Sequence, residues 1–479
     1  MRYKVVGPPG TGKTRRLLNE VHKYVENGTR HDQIGYFAFT RKAAGEARDR
    51  FLAKNLELTK KDIKYFQTLH SLAFNNLGLK EENVMQEGNY QAIGETSGIQ
   101  VKYAAYETNN FNGIFSSNSE YLSLINLARV RQITVEEQFN RNEHLTWISK
   151  TKLMGIEKEI NNYKSAHNLI DFTDMIQQFL DKGNTPKFKV IFVDEAQDLS
   201  LIQWAMIKKI EEDTNCDVWI AGDDDQAIFG WAGADVDSFI NWEAKEILLD
   251  KSERVPQLIQ RKALDVISRI YINRISKNYL PKNDLGNIHE RFAINKIDLS
   301  TGDWLILART NSLLKKIPAY LKRKGYFFNT YQGNSIGKTL YEDILNWKKM
   351  QNNEKIPDIY YQRILENIKD KEINFRGDWF EVFNNVSKTK REYMRALLDN
   401  GENVLMEPRI KVSTVHGAKG GEAHNVILYL NQTANTIKGA KKSQAKQEEE
   451  YRVWYVGITR TIENLYLIKS KNKKKEFKV

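Results

Sequence analysis

Cysteine is nearly absent. Cys216 is the single one in 479 residues, so no disulfide can form within the chain, and the usage suits a reducing compartment. No apolar run approaches the length that crosses a bilayer, and the N-terminal residues do not resemble a signal peptide. The expectation is a cytoplasmic protein, of a bacterium or of a virus in its host's cytoplasm, with no membrane partner. Low-complexity tracts and internal repeats are missing too, leaving a globular composition of 41% hydrophobic and 28% charged residues. That length exceeds what a single core fills, so several domains are expected. Lys and Arg outnumber Asp and Glu by 73 to 61, a net charge of +12. Such a balance favours a polyanionic partner, although a lysine-rich surface can equally be a solvated face.

Gly7-Pro8-Pro9-Gly10-Thr11-Gly12-Lys13-Thr14 is a complete G-x-x-x-x-G-K-[ST] phosphate loop. Tyr3-Lys4-Val5-Val6 ahead of it reads as a strand, and Arg15-Arg16-Leu17-Leu18 behind it opens a helix. Glycines in such a loop let successive N–H groups converge on phosphate oxygens, at the positive end of the following helix. Lys13 is expected to reach the β- and γ-phosphates, and the Thr14 hydroxyl to hold Mg²⁺. A chance glycine turn carrying a lysine would lack this strand–loop–helix setting. The loop points to a nucleoside triphosphate and leaves open what its energy drives.

Short apolar runs that end in polar or glycine-rich residues recur along the chain, the pattern of buried parallel strands. Residues 34–39, 190–193 and 218–221 are the clearest early ones; 246–249, 304–308, 411–413, 426–430 and 465–468 make a second series. Two doubly wound units follow, one before and one after about residue 246. Residues 79–165 and 340–405 read as helical insertions, the latter anchored by Trp347, Trp379 and Phe380. The tail 469–479, with lysines at 469, 471, 473, 474, 475 and 478, is expected to fray and to touch nucleic acid.

Val190-Ile191-Phe192-Val193 delivers Asp194-Glu195-Ala196-Gln197-Asp198. Two adjacent carboxylates at a strand's end suit Mg²⁺-assisted hydrolysis of a phosphoanhydride. Asp194 can hold the metal while Glu195 orients and deprotonates water. Gly222-Asp223-Asp224-Asp225-Gln226-Ala227-Ile228-Phe229-Gly230-Trp231 pairs an amide with an indole. The first can donate to phosphate; the second offers a sequence-blind stacking platform. Phe39-Thr40-Arg41-Lys42-Ala43-Ala44, Thr68-Leu69-His70-Ser71 and Ile170-Asp171-Phe172 are shorter elements. Thr414-Val415-His416-Gly417-Ala418-Lys419-Gly420-Gly421-Glu422 comes late in the chain. So do Glu450, Arg452 and Tyr455-Val456-Gly457-Ile458-Thr459-Arg460.

Taken in order, these elements resemble a superfamily 1 helicase of the UvrD/Rep type, in a compact version with short insertions. The resemblance implies an α/β fold of two RecA-like P-loop NTPase domains with mostly helical inserted subdomains. The first motor domain would take residues 1–78 and 166–245, with 79–165 inserted. The second would take 246–339 and 406–479, with 340–405 inserted. It implies an ATP- and Mg²⁺-dependent motor moving 3′→5′ on single-stranded DNA and opening duplex at single-strand–duplex junctions, with ATP hydrolysed in a cleft between the motor domains. Glu195, Gln226, Arg254 and Arg460 would then be catalytic, the arginines on the γ-phosphate. Residues 7–14, Arg15, Gly420 and Glu422 would meet the nucleotide, and Thr14 and Asp194 the metal. Phe39, Thr40, Arg41, Thr68, His70, Phe229, Trp231, Thr414 and His416 would line the DNA path.

Four departures from that pattern stand out. No glutamine-bearing segment that reads adenine precedes the loop. Glu253 replaces an aromatic before Arg254, Ala232 replaces an arginine after Trp231, and the 340–405 insertion is short. Relaxed base recognition is therefore expected, with Arg15 as a candidate substitute contact. The competing readings are a 5′→3′ helicase and a nucleotide-gated remodelling ATPase that unwinds little.

Overall fold

The computed structural model describes residues 1–101, 119–142, 145–369 and 375–479. β1 (Arg2–Val6), β2 (Ile34–Phe37), β3 (Phe66–Gln67), β4 (Val190–Val193), β5 (Asp217–Gly222) and β6 (Lys245–Leu248) form one sheet in the order β3-β2-β4-β5-β1-β6. Every pairing in it is parallel. The four residues of β4 are at most 1% exposed, because a strand covered by helices on both faces must be apolar throughout. Leu17 and Val21 of the helix Lys13–Glu26 pack with Tyr36, Phe192 and Trp219 on one face. On the other face, Ile202 and Ile207 of the helix Leu201–Thr214 pack with Ile191 and Ile220. The parallel strands therefore all open at one edge, where the loops after β1, β4 and β5 meet.

Residues 246–249, expected to open the second strand series, fall almost wholly within β6, an edge strand of the first sheet with Leu248 opposite Val6. Its residues are mostly exposed, and so short a run carries no signal of which strand it will pair with. The inserted region is helical where described. The helices Glu87–Thr96, Glu120–Val130, Val135–Asn140 and Lys150–Ala166 share a small core including Ile93, Leu122, Ile125, Leu153 and Ile156. The parts of that expectation at 102–118 and 143–144 lie outside the described residues.

β7 (Lys251–Pro256) and β8 (Leu280–Lys282) form a separate two-stranded sheet. β9 (Asn287–Arg291), β10 (Trp304–Ala308), β11 (Phe328–Thr330), β12 (Gly333–Asn334), β13 (Ile410–Thr414), β14 (Ala423–Tyr429) and β15 (Thr461–Ile468) form a second large sheet. Its order is β12-β11-β13-β10-β14-β15-β9. Only the β11–β12 hairpin is antiparallel. The 340–405 region packs helices around Trp347, Phe383 and Met394; residues 370–374 of it lie outside the described ones.

The chain divides into two compact units. The first comprises Met1–Val255, Val266–Asn283 and Gln447–Tyr455; the second Pro256–Asp265, Asp284–Lys446 and Val456–Val479. The tail does not fray as expected. Glu476 bridges Asn431, Phe477 N donates to Leu430 O at 2.9 Å, and the Phe477 ring is buried. One aromatic among the lysines supplies the apolar anchor that a charge count overlooks.

Candidate active site

Gly7 follows β1 directly, and its N–H donates to Gly222 O at the end of β5, 3.1 Å away. Thr11 closes the loop by donating from Oγ1 to Pro8 O at 2.8 Å, and Lys13 Nζ donates to Gly7 O at 2.9 Å. Gly10 and Gly12 sit at φ +76° and +82°, left-handed values that other residues resist. The helix that follows has no side-chain N-cap and no acid in its first turn. Its N–H groups and positive dipole end are thus left for an anion.

The loop apex is docked on β7. Ser252 Oγ donates to Pro9 O at 2.7 Å, and Glu253 N donates to Gly10 O at 2.9 Å. A Cβ on Gly10 would lie 2.4 Å from Arg254 Cβ, so Arg254 rests against the phosphate loop within the first unit. Arg15 packs beside Gly12, its Nε 3.2 Å from where a Gly12 Cβ would stand.

Asp194 is 5% exposed, and its Oδ2 accepts from Thr14 Oγ1 at 2.6 Å and from Tyr36 Oη at 3.0 Å. Burial first, and the charge of Glu195 second, raise its pKa. A cation beside it would relieve both. Thr14 and Asp194 present hard oxygen donors of the kind Mg²⁺ prefers, so these residues fit that ion. Glu195 is held at φ +54°, a conformation costing about 1–3 kcal/mol that persists only where its surroundings impose it. A chain of hydrogen bonds leads away from it. Gln197 Nε2 donates to Glu195 Oε2 at 2.6 Å, Asp223 N donates to Gln197 Oε1 at 3.0 Å, and Gln226 Nε2 donates to Asp223 Oδ2 at 2.7 Å. The expected residues Thr14, Asp194, Glu195 and Gln226 are thus brought into one connected cluster next to Lys13.

Sequence reading assigned no role to several members of this cluster: Tyr36, Gln197 (quoted only as part of its motif), Ser252, and two cations beneath the aspartates. Lys277 Nζ, 1% exposed, lies 2.9 Å from Asp223 Oδ1 and 3.0 Å from Asp225 Oδ2, and it also pairs with Asp224. Arg274 grips Asp225 with two bonds of 2.7 and 2.9 Å. Three consecutive aspartates at a buried strand end require such partners. That requirement was the available signal, although nothing in the spacing points fifty residues downstream. Burial lifts the Asp224 carboxyl to about 6 despite Lys277.

Three aromatic rings step outward near this cluster. Phe39 stacks on Phe229 at 5.5 Å and 26°, and Trp231 meets Phe229 edge-on at 6.4 Å. Phe229 is 2% exposed and Trp231 38%, so Phe229 supports two rings that solvent reaches. Phe39, His70, Asp198, Gln203, Phe229 and Ala232 line a small pocket beside them. Burial and the neighbouring Arg41 push the His70 imidazole down to about 4, leaving it neutral. Thr40 and Thr68 spend their hydroxyls as helix caps, accepting from Ala43 N at 3.0 Å and Ser71 N at 3.1 Å. Arg41 opens the helix that Thr40 caps. The Trp231 turn is fixed by Glu449, whose Oε1 accepts from Trp231 N at 3.1 Å.

In the second unit, Thr414 ends β13 and its Oγ1 accepts from Gly417 N at 3.1 Å, shaping the turn that carries His416. Arg460 is 2% exposed; it donates to Val456 O at 3.2 Å and to Gly421 O at 3.3 Å. The structure therefore gathers Arg460 and the Gly420–Gly421–Glu422 turn at one place.

The profile of the UvrD/REP helicase N-terminal domain matches residues 2–246, half of the chain. The chain belongs to the UvrD/REP helicase family. Among UvrD/REP-type relatives, a protein named "Probable DNA helicase" from Mycoplasma pneumoniae is 25% identical over 480 residues, 96% of this chain and 79% of the relative. ATP-dependent DNA helicase PcrA of Bacillus subtilis is 25% identical over 394 residues, 74% of this chain and 52% of its own length. DNA helicase II of Haemophilus influenzae is 23% identical over 474 residues, 91% and 62% of the two chains. This chain thus spans between about half and four-fifths of these relatives. Among solved structures, Arterivirus nonstructural protein 10 (helicase) aligns with 98% of the chain and 60% of its own, at 12% identity and a TM-score of 0.38. Among the described residues no helix is long and apolar enough to cross a membrane.

Proposed function

We propose that the chain is the ATP-driven motor of a DNA helicase, moving 3′→5′ along single-stranded DNA and opening duplex at single-strand–duplex junctions. The observation that carries this reading is the 2.6 Å bond between Thr14 and Asp194 beside Lys13, continued through Glu195, Gln197 and Asp223 to Gln226. The loop N–H groups and Lys13 bind the β- and γ-phosphates. Thr14 and Asp194 would hold Mg²⁺, which would supply charge neutralisation at the phosphate oxygens. Glu195 takes a proton from the attacking water as its oxygen bonds to the γ-phosphorus. The bond to the β,γ-bridging oxygen breaks, and ADP and phosphate leave. Arg254 and Arg460 are the proposed stabilisers of charge on the transferring group.

Gln226 lies three residues before Phe229 and five before Trp231. A change in what Gln226 grips can therefore be felt by the rings on which bases stack, without leaving one short loop. Stacking and backbone charge make the grip insensitive to sequence and sensitive to salt. ATP hydrolysis measured with and without oligo-dT tests the reading. Stimulation by the oligonucleotide is expected, with a loss of about 100-fold or more in kcat for Glu195→Gln. Hydrolysis indifferent to single strands would overturn it.

A further inference from the structure

The lysine-rich tail is pinned rather than loose, and its place in the second sheet gives it a partner. Ala308 is level with Thr414 across β10 and β13, and Leu307 with Leu428 across β10 and β14. Tyr429 is level with Ile468, and Ile468 with Arg291. One row of strand ends thus runs Thr414, Ala308, Tyr429, Ile468, Arg291 along the carboxyl edge. The tail leaves this edge at Lys469. Three strand spacings, about 14 Å, separate it from Thr414.

Two contacts hold the tail to the residues that follow β14, and two more within the tail shape its turn. Lys475 O accepts from Gln432 N at 2.7 Å, and Ser470 N donates to Glu476 Oε2 at 2.7 Å. Lys474 N donates to Asn472 Oδ1 at 3.0 Å, and Phe477 N donates to Leu430 O at 2.9 Å. Lys469 is neutralised by Glu290 at 2.5 Å. Lys471, Lys473, Lys474 and Lys475 are exposed, and among the described residues no carboxylate pairs with them. The fold therefore holds four like charges close together in a short turn, against their mutual repulsion, on the edge that also carries Thr414 and His416. A chain of regularly spaced anions would relieve that repulsion at every position.

We propose that Lys471, Lys473, Lys474 and Lys475 form a shelf for the phosphate backbone of the nucleic-acid strand that passes Thr414 and His416. The shelf rests on the helicase reading and adds to it a contact outside the motifs. The test uses the full chain and a fluorescein-labelled dT oligomer, with anisotropy titrations over a series of KCl concentrations. Wild type is compared with the variant carrying K471Q, K473Q, K474Q and K475Q, and with one carrying arginine at the same four positions. The glutamine variant is expected to bind more weakly, with the slope of log K against log[KCl] shallower by about 2–3, as loss of four single-strand phosphate contacts requires. The arginine variant should keep the wild-type slope. A Trp231→Ala control should weaken binding and leave the slope unchanged.

A glutamine variant with wild-type slope and affinity would overturn the shelf and leave the helicase reading intact. Wild-type protein that fails to bind the oligomer would overturn both. A parallel titration with phosphatidylserine vesicles separates the remaining case: loss of vesicle binding with an unchanged DNA slope would assign the lysines to a membrane surface and contradict the proposal.

Discussion

The hydroxyl of Tyr36, buried on β2, donates to Asp194 Oδ2 at 3.0 Å. That oxygen also accepts from Thr14 at 2.6 Å, so the carboxylate is fixed from two sides. Tyr36→Phe removes one of the two bonds without changing the ring's packing against Phe66 and Phe192. The loss of roughly 1 kcal/mol of positioning should raise the Mg²⁺ concentration for half-maximal ATPase activity about fivefold, with kcat at saturating Mg²⁺ nearly unchanged. An unaltered Mg²⁺ titration would mean that Thr14 alone orients Asp194.

Gly10 is confined twice, by φ +76° and by Arg254 Cβ at 2.4 Å from its missing side chain. Gly10→Ala should therefore lower stability by about 1–3 kcal/mol and weaken ATP binding at least tenfold. Thermal melts and nucleotide titrations read the two effects separately. Ser252→Ala removes one of the two bonds that dock the loop apex on β7, together with the acceptor of Arg254 N and Val255 N, and should cost about 1–3 kcal/mol with ATP binding less affected than in Gly10→Ala. Equal behaviour of the two variants would argue against close packing at Gly10.

Lys277 faces three buried carboxylates at once. Lys277→Met leaves Arg274 paired with Asp225, and the uncompensated charge on the neighbouring aspartates should cost about 3–5 kcal/mol. Urea unfolding measures this. A loss under 1 kcal/mol would show that the aspartates share protons instead of relying on Lys277.

Legibility in the sequence stopped at local patterns. Runs such as 190–193 announce a strand because both faces are covered, and the acidic pair behind it announces its chemistry because few other folds need it there. Thr14 and Asp194 meet at 2.6 Å, as a phosphate loop followed by such a strand leads one to expect. Lys277, Tyr36 and Ser252 were illegible for a different reason. Each is an ordinary residue whose role comes from a long-range contact, and no local pattern encodes it. β6 was misplaced because an exposed four-residue run does not name its neighbour. The tail was misread because Phe477 counts for more than the lysines around it.

The helical insertion is tied down by ions. Arg129 bonds Asp171 at 2.5 Å and also Asp174, while Lys164 lies 3.1 and 2.8 Å from the same two carboxylates. Burial alone would raise the Asp171 pKa, but the charges of Arg129 and Lys164 outweigh it and hold the carboxyl below its ordinary 3.8. A depressed native pKa means stability that is fully present above the unfolded value and is lost as pH falls through the native one. Asp171→Asn should therefore be destabilising at pH 7, with the gap to wild type narrowing below about pH 4. Melting temperatures across that range check the sign. A gap independent of pH would assign Asp171 a packing role only.

The proposed motor moves in one direction on a single strand. Strand displacement on duplexes carrying only a 3′ or only a 5′ single-stranded tail, with ATP and Mg²⁺, tests it most directly. Displacement from the 3′ tail, abolished by Lys13→Ala, is expected. Displacement from the 5′ tail alone, or none that depends on ATP, would contradict it.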